Sequence, residues 1–239
     1  MFNKILLLTI LLAFAQRPFA QKIINDPNVQ ARSVGSFSNI VISSAIDLYL
    51  SQGNENAVAV SAKDPQLVSR ITTEVKNGTL YIGFDGKGFN NWGSGKQMKA
   101  YVSVKELGRL QASGSSDIYV DGNINATDLA ITLSGSSDFK GGIIAQNLRL
   151  EASGSSDFHI SGKTTNLKIT VTGSSDVKGY DLVADNCDVE AAGASDVKIT
   201  INKQLKAMAS GSSDITYKGE PTAKQVFSSG ASDIKQIKN

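Results

Sequence analysis

Apolar and polar residues alternate with a period of two along the C-terminal half of the chain, and the alternation restarts at a fixed interval. Leu129, Ile131 and Leu133 form one run, and Leu148, Leu150 and Ala152 the next. Leu167, Ile169 and Val171 follow, then Cys187, Val189 and Ala191, then Leu205, Ala207 and Ala209. Such alternation is the mark of a half-buried strand. Each run ends at a Gly-(Ser/Ala)-Ser-Asp tetrapeptide, of which there are seven, opening at Gly114, Gly135, Gly154, Gly173, Gly193, Gly211 and Gly230. The spacings are 21, 19, 19, 20, 18 and 19 residues. An apolar residue follows each Asp: Ile118, Phe139, Phe158, Val177, Val197, Ile215 and Ile234. Each repeat therefore predicts a strand, a bend, a second strand and a variable loop.

This period suits one coil of a β-helix and is too short for a propeller blade. One coil cannot bury its own apolar face. Seven coils stacked about 4.8 Å apart give a column of roughly 30 Å with one continuous core. The predicted fold is all-β, a parallel β-helix, right-handed as parallel crossovers are. Like residues should stack on like, with Phe139 against Phe158 and Leu148 between Leu129 and Leu167.

If the parity runs through the bend, Gly and the second Ser point inward, and the first Ser and the Asp point outward. An inward hydroxyl bonding the bend backbone explains why the second Ser appears in every copy, while the first is Ala in two. The outward Asp column, Asp117, Asp138, Asp157, Asp176, Asp196, Asp214 and Asp233, needs compensation. Neighbouring carboxylates about 4.8 Å apart repel by roughly 1 kcal/mol in water. Turn N–H groups could offset this, or bound Ca²⁺, for which these seven Asp are the candidate ligands. No other cofactor is expected.

Residues 34–110 lack the turn motif but keep β signals. Strands are expected at 37–50, 57–62 and 98–104, and a hairpin at 71–84 turning on Asn77-Gly78. These read as irregular coils capping the helix, or as a separate small β domain. The loop Gly83–Gly95 carries Phe89 and Trp92, candidate ligand contacts whose alternative role is to cover the open end of the column. It is not a phosphate loop, because no Gly-Lys-Ser/Thr follows.

The N-terminus adds a compartment. Lys4 precedes the apolar run 5–15, too short for a membrane span and fitting the core of a signal peptide. Cleavage is expected after Ala15 or Ala20. The organisation is then a signal peptide over 1–20, a linker over 21–33, irregular coils or a cap over 34–110, and the regular β-helix over 111–239. No transmembrane segment is expected in the mature chain, which would be exported to the periplasm, the outer surface or the medium.

Charge and rare residues narrow the chemistry. The chain has Lys+Arg 24 against Asp+Glu 22. Lys4 and Arg17 lie in the first twenty residues, leaving 22 against 22. That balance argues against a nucleic-acid partner. Cys187 is the only cysteine and His159 the only histidine, which excludes an internal disulfide and most zinc and triad chemistry. Cys187 falls in an inward slot and is expected to be inert.

The turns, together with FSNIVISSAIDLYLSQG and ITTEVKNGTLYI upstream, resemble the bacterial family described as putative auto-transporter adhesin, head GIN domain. Its members are exported proteins, common in Bacteroidetes, with right-handed β-helix folds. The resemblance implies fold, export and adhesion, with a cell-surface or extracellular protein or glycan as partner, and supplies no catalytic residue set. The expected function is non-catalytic binding of a ligand or polymer along a β-helix face. The alternative is a polysaccharide lyase or hydrolase on the same scaffold, with His159 as candidate base. That alternative needs a singular pair of carboxylates, whereas every adjacent Asp pair in the column is alike. A motif repeated seven times reads as architecture.

Overall fold

The computed structural model describes residues 26–87 and 97–238. It is nearly all-β, with 67% of residues in strands and 2% in helix, and forms a β-solenoid of about seven turns. The regular part comprises β9 (Ile118–Leu133), β10 (Phe139–Ala152), β11 (Phe158–Val171), β12 (Val177–Gly193) and β13 (Asp196–Gly211), each parallel to the next. Phe139 pairs with Phe158 in register, their ring centroids 5.8 Å apart. Leu129, Leu148 and Leu167 form one buried column.

Where a variable loop was expected in each repeat, the strand continues. β9 to β13 are 14 to 17 residues long and carry the chain from one turn to the next. Differences in repeat length appear instead as register shifts, at Lys140/Gly142, His159/Gly162 and Gly179/Val183. A bulge absorbs an extra residue at lower cost than breaking the ladder.

An odd repeat also forces a slip. Strict period-two alternation over 19 residues would send the same column inward in one coil and outward in the next. In the 19-residue coils of β10 and β11 the structure resolves this at one corner, whereas the 20-residue coil slips a second time between Gly179 and Leu182 and the 18-residue coil keeps parity from Ile201 to Leu205. Ala145 and Leu148, Thr164 and Leu167, and Ala184 and Cys187 are three residues apart, yet both members of each pair are buried. The residues between them, including Asn147, Asn166 and Asn186, turn the corner.

The N-terminal residues join the same sheet. In place of one strand over 37–50 there are two, β2 (Asn39–Ile42) and β3 (Ile46–Gln52), bent at Ser43–Ala45. They lie between two other strand pairs. β6 (Thr79–Phe84) and β7 (Met98–Val104) run parallel along one side. β8 (Arg109–Ala112) and the start of β9 run parallel along the other. The outer end is then covered by antiparallel strands: β5 (Ile71–Lys76) on β6, β4 (Ala57–Ala62) on β7, and β1 (Gln30–Arg32) on β4. β5 and β6 form the expected hairpin, with Asn77 and Gly78 at φ 50° and 72°, both positive as this turn requires. The single helix among the described residues, α1 (Pro65–Val68), starts on Asp64, whose side chain accepts from the Gln66 N–H.

The C-terminal end differs. β14 (Asp214–Lys218) pairs with β13, β15 (Ala223–Gly230) pairs with β13, and β16 (Asp233–Gln236) pairs with β14. Lys224, Val226 and Ser228 stack on Leu205, Ala207 and Ala209, yet every residue of β15 is exposed.

Candidate functional site

The tetrapeptide turns stack in register and hydrogen-bond from coil to coil. The Gly residues adopt φ near +80°, for example 83° at Gly154. That conformation breaks the assumed parity: the Gly is exposed, and only the second Ser turns inward. Space matters as well, since a Cβ on Gly154 would stand 2.5 Å from the Gly135 carbonyl oxygen. That carbonyl accepts the Ser155 N–H at 2.8 Å, and the same bond recurs from Ser136 to Gly114 and from Ser174 to Gly154.

Ser and Asp add two opposed stitches. The Ser137 N–H donates to Ser156 Oγ of the following coil at 3.2 Å, and the Ser156 N–H donates to Ser175 Oγ at 3.1 Å. Ser116, Ser137, Ser156, Ser175, Ser195 and Ser213 are fully buried. Their hydroxyls thus serve the neighbouring coil's backbone rather than chiefly their own bend. The carboxylates run the other way. The Asp157 N–H donates to Asp138 Oδ1 of the preceding coil at 3.1 Å, and Asp176 and Asp196 repeat this on Asp157 and Asp176. An N–H bond to an ionised carboxylate is among the stronger kinds, and it offsets the repulsion within the column. Lys178 contributes as well, 2.8 Å from Asp157 Oδ2, which raises its own pKa.

The column also extends further than the motif. Ile42 pairs with Ala112 and Leu48 with Ile118, which aligns Ser44-Ala45-Ile46-Asp47 with Gly114-Ser115-Ser116-Asp117. Ser44 takes the Gly conformation, at φ 73°. Burial raises the Asp47 pKa above its usual range; its bond from the Asp117 N–H, at 3.5 Å, opposes the shift only in part.

Among the described residues, no group of three His, Cys, Asp or Glu converges in a way that could hold a metal ion. The Asp column supplies one carboxylate per coil, and in most coils its Oδ1 already accepts a backbone N–H. His159 is exposed and stands in register with Lys140 and Lys178, while Asp157 two residues before it is paired with Lys178. Cys187 is buried, and desolvation pushes its thiol far above the usual range. Phe89 and Trp92 lie outside the described residues.

On the neighbouring strands β7, β3 and β9, Tyr49 stacks between Tyr101 and Tyr119, with ring centroids 5.2 Å from each. Burial and a hydrogen bond to Asp26 push Tyr101 up to about 12.

A second ladder, unforeseen from the sequence, lies at the slipped corner. Asn147 Nδ2 donates to Asp128 Oδ1 at 2.7 Å, Asn166 to Asn147 at 2.8 Å and Asn186 to Asn166 at 2.9 Å. Its signature was present: Asp128, Asn147, Asn166, Asn186 and Gln204 each fall seven residues before a turn Gly. This ladder borders a groove of about 700 Å³ that runs along the solenoid axis from Gly108 to Gln225. Its wall carries Arg149, Lys168, Asp188 and Lys206, one per coil, and the Leu129–Leu205 column lies beneath. Arg149 is paired with Glu151, and Lys206 lies 3.3 Å from Asp188 Oδ2. Asp188 Oδ1 is buried without a hydrogen-bond partner.

The coils, the ladders and the axial groove define a repetitive β-solenoid whose surface columns run the length of the molecule. Residues 36–221 match the family model "Putative auto-transporter adhesin, head GIN domain", and the chain belongs to that family. Several solved structures share the fold. A putative adhesin from Bacteroides fragilis NCTC 9343 is similar with a TM-score of 0.80 at 20% identity, covering 87% of this chain and 96% of that one. A putative adhesin from Parabacteroides distasonis ATCC 8503 has a TM-score of 0.69 at 19% identity, over 87% and 96% of the two chains. A putative lipid binding protein from the same Parabacteroides strain has a TM-score of 0.64 at 22% identity, over 88% and 97%. No curated protein matches the chain. Among the described residues, no helix is long and apolar enough to cross a membrane.

Proposed function

We propose that this protein is an exported, non-catalytic adhesin that holds an extended, hydroxyl-rich polymer, a linear glycan, along the groove beside the Asn ladder. The observation that carries this reading is the groove's periodicity. It presents one amide or carboxylate per coil from Asp128 to Gln204, and one charged or polar wall residue per coil from Arg149 to Gln225. Six rungs at about 4.8 Å span roughly 24 Å, and the coil spacing is close to the rise of one sugar in an extended glycan. An apolar floor between polar rims suits a sugar chain, which has carbon-bound hydrogens on its faces and hydroxyls at its edges. Asp188 Oδ1, an acceptor left without a donor, supports it further. Mixed charge in the wall disfavours a polyanion. The family's description as an adhesin and the signal-like segment at 5–15 agree with export.

The test is a screen of the purified protein against a glycan array, run in parallel with an assay for cleavage of the same glycans. Retention without cleavage, lost in Lys168→Glu and Asn166→Asp, is expected. Turnover without stable capture would overturn the adhesin reading.

A further inference from the structure

A solenoid is held by the interfaces between successive coils, so it opens most readily where those interfaces are shortest. The N-terminal coil, β2 and β3, meets the next along two short ladders: β2 on β8 from Asn39 to Ile42, and β3 on β9 from Leu48 to Ser51. In the regular part, by contrast, β10 pairs with β11 from Phe139 to Ala152. The turn is altered at the same place, with Ser44 where the later coils have Gly. No internal disulfide can fasten this junction, because Cys187 is the only cysteine. The junction carries a different pair of groups able to form a covalent bond. Tyr49 of β3 stands in register with Tyr119 of β9, their ring centroids 5.2 Å apart and their planes 21° from parallel.

We propose that Tyr49 and Tyr119 are a site of oxidative coupling, where a carbon–carbon bond between the rings forms a dityrosine that staples the N-terminal coil to the regular solenoid. Both rings are at the surface, Tyr49 36% and Tyr119 38% exposed. An oxidant can therefore reach them, and they have room to tilt from a stack into the edge-to-edge arrangement the bond requires. Identical side chains in register place each ring atom beside its counterpart one coil away. The co-reactant is a one-electron oxidant of the peroxidase class, working with hydrogen peroxide. Each phenol gives up one electron and its hydroxyl proton; the Tyr119 hydroxyl already donates to Asp117 Oδ2, 3.3 Å away. The two phenoxyl radicals combine at the carbons beside their hydroxyls. The hydrogens on those two carbons then leave as protons while both oxygens are reprotonated. The protein loses two hydrogen atoms in all, and one peroxide is reduced to two waters.

The other tyrosines are less well placed. Tyr101 also stacks on Tyr49, but it is half-buried and its hydroxyl is held by Asp26, which fixes the ring. Tyr81 is exposed but stands between Val41 and Glu74. Tyr180 is bonded to Thr216, and Tyr217 is buried. A bond from residue 49 to residue 119 closes a loop through β4 to β8 and, like a disulfide, limits the freedom of the unfolded chain. Neither ring borders the groove between Gly108 and Gln225, so the staple is independent of what that groove holds.

The experiment treats the purified protein with a peroxidase and hydrogen peroxide, with peroxide alone as the blank. Intact mass, peptide mapping and thermal melting are then measured on the monomeric fraction. The expected product is a monomer lighter by two hydrogens, with dityrosine fluorescence and one cross-linked peptide pair that holds Tyr49 and Tyr119. Its melting temperature should lie several degrees above that of the blank. Tyr49→Phe and Tyr119→Phe keep a stacked ring but lack the phenol. Each should retain the native β spectrum by circular dichroism and lose both the mass change and the gain in melting temperature, whereas Tyr101→Phe should keep both. Absence of coupling, a bond between two molecules, a bond to Tyr101 in place of Tyr119, or a melting temperature no higher than the blank overturns the inference.

Discussion

The carbonyl oxygen of Gly135 lies 2.5 Å from where a Cβ on Gly154 would stand. Gly154→Ala therefore meets two penalties, the left-handed φ and a collision with backbone that cannot move aside. Positive φ in a non-Gly residue costs about 1–2 kcal/mol, and displacing a stacked carbonyl adds to it, so a loss of about 2–4 kcal/mol is expected. Gly114→Ala is the control. Its Cβ would meet the Ser44 nitrogen at an ordinary 3.6 Å, so only the conformational part, about 1–2 kcal/mol, should appear. Urea denaturation of both variants measures the difference. Equal losses would mean that stacking contributes nothing to the Gly requirement.

Removing a stitch inside the turn should cost more than its small size suggests. Ser156→Ala leaves the buried Ser137 N–H without its acceptor, 3.2 Å away. An unsatisfied buried donor costs about 1–3 kcal/mol. Asp157→Ala removes the acceptor for the Asp176 N–H, whereas Asp157→Asn keeps an oxygen in place and relieves like-charge repulsion. The Asn variant should melt close to the native protein, and both Ala variants well below it.

The melting temperature should be unchanged by EDTA. Backbone N–H groups already engage the Asp column, and no cluster of three ligands is present among the described residues. A drop on chelation, reversed by Ca²⁺, would reassign the column as an ion site.

Two N-terminal carboxylates should give opposite pH signatures. Asp26 is held below its ordinary value of 3.8, first by the Ser61 hydroxyl and also by the Asn28 N–H, Tyr101 and Lys99. Its contribution is complete above that value and is lost as pH falls through its lower, folded pKa. Asp26→Asn should therefore be less stable than the native protein at neutral pH, with the gap closing in acid. Asp47 is raised by burial, so stability falls as pH rises from its ordinary value of 3.8 through its higher, folded pKa, and the loss is complete above that. Asp47→Asn should be the more stable protein at neutral pH, and that advantage should shrink as pH falls. Chemical denaturation at a series of pH values tests both signs.

The Cys187 thiol should not react with a water-soluble disulfide reagent in the native protein and should react fully once unfolded. Its burial and raised pKa both suppress the thiolate. Rapid native-state labelling would show that the core column opens at this coil.

The column of coils, the stacked Phe139 and Phe158 and the buried second Ser were legible in the sequence because each repeats with the turn. The glycine's role was only half legible. Parity placed it inward, but a left-handed residue interrupts parity, and no alternation pattern carries the sign of φ. The Ser44–Asp47 copy was hidden because Ser44 and Ile46 replace the Gly and the buried Ser, and β4 to β7 separate it from Gly114. The Asn ladder was written at a constant distance from each Gly. It escaped because an Asn between apolar runs reads as loop, whereas in the 19-residue coils it marks where the strand must change phase. The exposure of β15 goes with Lys224 and Ser228, polar residues where the coil before it has Leu205 and Ala209.

Titration calorimetry with linear glycans of increasing length tests the central claim most directly. If the groove from Asp128 to Gln225 is the site, affinity should rise with each sugar added up to about six, one per coil at about 4.8 Å, then level off. Lys168→Glu in the middle of the groove should flatten that dependence. Affinity that is independent of length, or unchanged in Lys168→Glu, would contradict the account.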